Sequence, residues 1–80
     1  MTFMFEVCYK PPANPTKEAA LNERVAALGG QLDYREEAGD DSLGGVCLTY
    51  EFDDLENARK AADVLRQLGE HVEGPMDYGP

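Results

Sequence analysis

The stretch Gly44-Gly45-Val46-Cys47-Leu48-Thr49-Tyr50-Glu51-Phe52 decides the fold. Val46, Leu48, Tyr50 and Phe52 alternate with Cys47, Thr49 and Glu51, and only an extended strand sorts such a period of two onto separate faces. One face is large and apolar and has to be buried against a second layer. The other is small and polar and suits a half-exposed sheet. Such a strand cannot stand alone, so the flanking sequence must supply its neighbours.

Near the start, Phe3, Phe5, Val7 and Tyr9 alternate with Met4, Glu6, Cys8 and Lys10, a second strand of the same kind. Pro11-Pro12 ends it, because proline offers no N–H to a sheet ladder. Asn14-Pro15 then opens a helix, with asparagine as cap and proline at the first helical position. Leu21, Val25 and Leu28, with Ala20 and Ala27 beside them, form an apolar stripe that predicts a helix near 15–28, stopped by Gly29-Gly30. Leu32, Tyr34 and Glu36 alternate with Gln31, Asp33, Arg35 and Glu37 in a weaker strand. Ala38 to Gly44, rich in turn formers and like charges, reads as a mobile hairpin loop.

After the opening stretch, Asp53 is placed to cap a second helix, with Glu56 three residues on as in a capping box. Leu55, Ala58, Ala62, Leu65 and Leu68 share one face of this helix, expected near 54–68 and ending at Gly69. His71-Val72-Glu73 suits a short fourth strand. Gly74-Pro75 is expected to break it, leaving residues 75–80 as a loose tail. The order is β-α-β-β-α-β. Right-handed crossovers and a hairpin between strands two and three then lead to an α+β, ferredoxin-like two-layer sandwich. Its sheet is antiparallel in the order 4-1-3-2, with both helices on one face, and the 80 residues make a single domain.

A formal net charge of −9 sets bounds on partners. It repels phosphate backbones and anionic membrane surfaces, so neither nucleic acid nor a membrane is expected. RNA-recognition motifs share this topology, but they stack bases on aromatics exposed on the middle strands. Parity here turns Phe3, Phe5, Tyr50 and Phe52 towards the helices. Glu36, Glu37, Asp40 and Asp41 lack the spacing of a calcium loop. The double glycines at 29–30 and 44–45 are a helix stop and a strand entry rather than phosphate loops. No run approaches the ~20 apolar residues of a membrane span, and the first residues do not read as a signal peptide. The expectation is a cytoplasmic protein with reduced thiols.

Matching the apolar runs of strands one and three sets Phe3 opposite Phe52, Tyr9 opposite Val46 and Cys8 opposite Cys47. Strand four brings His71 to the same end, and strand two is expected to bring Asp33, giving a row His71, Cys8, Cys47, Asp33 across the helix-free face. Thiolate and imidazole suit zinc. The cysteines are nevertheless isolated, and four strands in a row at ~4.8 Å spacing span too far for one tetrahedron, so only Cys8, Cys47 and His71 could converge. Packing is therefore the expected role of both cysteines. On that reading each Cys→Ser change costs no more than ~1–2 kcal/mol, and zinc leaves the melting temperature unchanged. A catalytic thiol is disfavoured because acidic surroundings raise its pKa.

The helix-free face carries Met4, Cys8, Cys47 and Thr49 down its centre, flanked by Glu6, Lys10, Asp33, Arg35 and Glu51, and the candidate interface is Met4, Glu6, Cys8, Cys47, Thr49 and Glu51. A weakly apolar centre inside a charged rim resembles a covered interface. The expected function is an acidic binding or regulatory module, without a cofactor, acting on itself as a homodimer or on a protein partner. The alternatives are a small enzyme of the dimeric α+β barrel type, with Cys8, Cys47 and His71 lining its cavity, or a metal site on those residues.

Overall fold

Six elements occur in the expected order: β1 (Phe3–Tyr9), α1 (Pro15–Ala27), β2 (Gln31–Glu37), β3 (Val46–Phe52), α2 (Leu55–Gln67) and β4 (His71–Asp77). They are those of a computed structural model that describes residues 2–37 and 45–77. The hairpin loop from Ala38 to Gly44, with Asp40 and Asp41, and the tail from residue 78 lie outside the described residues.

The sheet order is β2-β3-β1-β4, the ferredoxin-like arrangement, and every neighbouring pair is antiparallel. β1 and β3 pair in the register set by their apolar runs, from Phe3 opposite Phe52 to Tyr9 opposite Val46. Leu48 and Tyr50 are wholly buried and Phe52 is 2% exposed, so the large face of β3 meets the helices. Phe5, Val7 and Val72 join them from β1 and β4, and Leu21, Val25, Ala58, Ala61, Ala62 and Leu65 close the core from above. Phe5 stacks on Phe52 with ring centroids 5.5 Å apart.

Both helices start on side-chain caps. Asn14 accepts from the Lys17 N–H at 3.0 Å. At α2 the cap is Asp54, accepting from the Glu56 N–H at 3.0 Å. Asp53, the expected cap, lies one residue earlier; Asp54 is the residue that keeps extended dihedrals beside the first turn. α1 buries Glu18 along with Leu21 and Val25, while Ala20 and Ala27 face out. Leu68 caps α2 at 50% exposed instead of completing its apolar face, which takes Ala61.

Two bulges depart from simple alternation. In β2, Leu32 pairs with Tyr50 and Tyr34 with Thr49, so Asp33 is an extra residue that reverses the parity of everything after it. In β4, Glu73 pairs with Glu6 and Met76 with Met4, so Gly74 and Pro75 together oppose Phe5. The expected break at Gly74-Pro75 is thus a bulge inside a longer strand. Gly74 has a φ of +106°, and a Cβ there would lie 3.0 Å from the Met4 carbonyl oxygen, so the position needs glycine. Pro75 is tolerated because β4 is an edge strand.

Candidate functional site

The helix-free face is built from three rows of residues that cross all four strands. Cross-strand partners share a face. The pairings therefore align Met76, Met4, Glu51 and Gln31, then Glu73, Glu6, Thr49 and Tyr34, then His71, Cys8, Cys47 and Glu36. Met4, Glu6, Cys8, Cys47, Thr49 and Glu51 lie together on this face, each half-buried. The neighbour of Cys47 on β2 is Glu36, where Asp33 was expected. In an antiparallel hairpin the end of β2, not its start, lies beside the start of β3, and Asp33 is taken up by the bulge.

The same bulge redistributes charge. Arg35 turns to the helix side, where its Nε donates to Glu18 Oε1 at 2.7 Å and its Nη2 to Glu18 Oε2 at 3.1 Å. Lys10 lies beyond the end of β1. No strand position of the open face then carries a lysine or arginine, and its charge is that of Glu6, Glu36, Glu51 and Glu73. Tyr34 moves the other way and stands 59% exposed on the open face, an aromatic that unbroken parity would have buried.

Cys8 and Cys47 are joined by a disulfide, with Cα atoms 4.1 Å apart. The expectation of two reduced thiols is overturned; the directly opposed pairing itself draws both sulfurs within bonding reach. Glu6 Oε1 lies 3.5 Å from Cys8 Sγ, a contact in which the bridged sulfur has no proton to donate. The ligand atoms of Glu6, Cys8 and Cys47 all fall within 4.8 Å of one another. His71 pairs with Cys8 from the other side, and its Nε2 is 3.2 Å from Glu73 Oε1. Sequence parity places Glu6 on the face but hides its reach towards sulfur, two residues along the same strand.

A cavity of about 90 Å³ opens on this face where β4 bulges, lined by Met4, Phe5, Glu6, Thr49, Glu73 and Met76. Its walls are thioethers and two carboxylates, a lining that suits an aliphatic stem ending in a cation.

The second polar cluster, on the helix side, is closed upon itself. Glu18 is 8% exposed and takes both guanidinium contacts of Arg35 together with the Tyr9 hydroxyl proton. Arg35 holds the Glu18 carboxyl below its ordinary range, with Tyr9 acting in the same direction against the effect of burial. Burial, and then Glu18, push the Tyr9 hydroxyl up. Tyr50 donates to Asn22 Oδ1 at 2.6 Å and is raised by burial first and Glu18 second. No buried side-chain polar atom among the described residues lacks a partner. This cluster pins β2 to α1 and leaves no group over for chemistry.

No protein-family model matches the chain, and neither does any curated protein or solved structure. No helix among the described residues is long and apolar enough to cross a membrane.

Proposed function

We propose that the chain is a small binding module whose helix-free sheet face receives a basic segment of a protein partner. The observation that carries this reading is the sign of the face. Glu6, Glu36, Glu51 and Glu73 surround Met4, Met76, Thr49 and the bridged cysteines, with no lysine or arginine at any strand position of this face. A second copy stacked face to face would set the same carboxylates against one another, which costs affinity unless cations intervene. That repulsion tells against both the homodimer and the barrel-type enzyme, which needs two such faces in contact. The cavity beside Glu6 and Glu73 accepts one lysine or arginine side chain of the partner. The same acidic field opposes phosphate backbones and anionic lipid.

The test begins with molecular mass in solution, with and without reductant. A lysine-leucine peptide is then titrated into the labelled protein while amide resonances are followed. Shifts should cluster at Met4, Glu6, Thr49, Glu51 and Glu73 and fade as salt is raised, and Glu6→Lys with Glu73→Lys should abolish them. A dimer that buries this face, or shifts confined to α1 and α2, overturns the reading.

A further inference from the structure

We infer that the dithiol form of Cys8 and Cys47 is a soft divalent-metal site, completed by Glu6 and His71, and that zinc is the ion it fits best. The inference is independent of any protein partner. Three potential ligand atoms, one each from Glu6, Cys8 and Cys47, already lie within 4.8 Å of one another on one face of two central strands. They converge for a backbone reason. Glu6 and Cys8 are two apart on β1 and share a face, while Cys47 is the direct cross-strand partner of Cys8. Glu6, Cys8 and Cys47 form a corner on two adjacent strands, narrower than a row across all four, and only His71 has to reach in from a third strand.

The fourth ligand comes from the far side of Cys8. His71 is its partner on β4, with a side chain 68% exposed and so not held by packing. The contact of His71 Nε2 with Glu73 leaves Nδ1 for a metal, and a carboxylate on the remote ring nitrogen is the usual support of a metal-bound histidine. Two thiolates, one imidazole and one carboxylate make a tetrahedral donor set of the kind zinc takes. Charge points the same way. Glu36 beside Cys47 and Glu73 beside Glu6 add negative charge around the three ligand atoms, a field that attracts a dication.

The bridged and metal-bound forms exclude each other. In the bridge the two sulfurs are bonded together and offer no thiolate. A dithiol reductant supplies two electrons and two protons, the S–S bond breaks, two thiols form, and the reductant leaves as its own disulfide. Zinc then displaces both thiol protons as two Zn–S bonds form. The site is thereby gated by thiol-disulfide exchange.

The experiment compares the oxidised chain with the chain reduced and kept free of oxygen. Cobalt(II) serves as the spectroscopic probe, and zinc is titrated against a chromophoric chelator. The reduced protein should take up one cobalt with a thiolate-to-metal charge-transfer band. It should bind zinc at least a hundredfold more tightly than the oxidised protein. Glu6→Gln and His71→Ala, both checked for native circular dichroism, should each weaken zinc at least tenfold while the thiols stay intact. Equal zinc affinity in the two redox forms overturns the inference, and so does unchanged affinity in either variant.

Discussion

Reducing the Cys8–Cys47 bridge should destabilise the fold by far more than losing a packed thiol would. The bond closes a loop with a sequence separation of 39 residues. In the chain-entropy account, restricting the unfolded chain over such a loop contributes about 4 kcal/mol at room temperature. Total stability for a domain of this size is on the order of 4–12 kcal/mol, so the bridge is a large share of it. At 4–8 °C per kcal/mol for small domains, reduction should lower the melting temperature by roughly 15–30 °C. Thermal and urea unfolding followed by far-UV circular dichroism, with and without a phosphine reductant and with metal chelated, give the number. The variants add a sharper signature. Cys8→Ser, Cys47→Ser and the double change should all cost about the same, because either one alone removes the bond. The urea slope should also be smaller for the bridged form, whose unfolded state is more compact. A shift below ~5 °C on reduction, or single-variant costs that add in the double variant, would refute the reasoning and restore the packing role.

Three further outcomes are expected. Gly30→Ala should cost ~1–3 kcal/mol in urea unfolding, because the new Cβ would sit 2.4 Å from Phe52 Cζ and 2.6 Å from Val25 Cγ1. Leu48→Ala should cost ~2–5 kcal/mol by the same measurement, since this central-strand side chain is wholly buried. Because Arg35 holds the Glu18 carboxyl below its ordinary 4.5, the stability that Glu18 contributes is present above that pH and is lost as pH falls through the lowered value. Glu18→Gln should therefore lower stability at neutral pH and flatten the acid limb relative to the parent, as read from melting temperatures between roughly pH 3 and 6.

The parts legible in the sequence are those where parity and spacing act alone. Val46, Leu48, Tyr50 and Phe52 leave one solution for β3, and the equal runs of β1 and β3 set Cys8 opposite Cys47. The misplacements come from insertions and from reach. Leu32 and Tyr34 look like one face until Asp33 is seen as an extra residue, and the sequence around it offers no glycine to mark the bulge. Gly74-Pro75 offers that mark but equally suits a strand end. Asp53 and Asp54 are chemically equivalent as caps, so one residue of slip could not be resolved. Two isolated cysteines do not announce a bridge by their spacing; it follows from the register, which sets Cys8 directly opposite Cys47. Glu6 reads as flanking charge, because strand parity says where a side chain stands and nothing about how far it leans.

The pairing of Phe3 with Asp77 brings the two ends of the described chain side by side on adjacent strands. A pull applied through the ends therefore loads the β1–β4 ladder as a zipper, parting its pairs one after another from the open end instead of shearing them together. The tear runs along β1 to Cys8. There it meets a covalent ring that holds α1, β2 and the hairpin loop within it. Stretched to its full contour, the bridged chain should be shorter than the reduced one by about 130 Å, the extended length of the enclosed residues. A single-molecule trace would thus report the redox state of the sulfurs as a length.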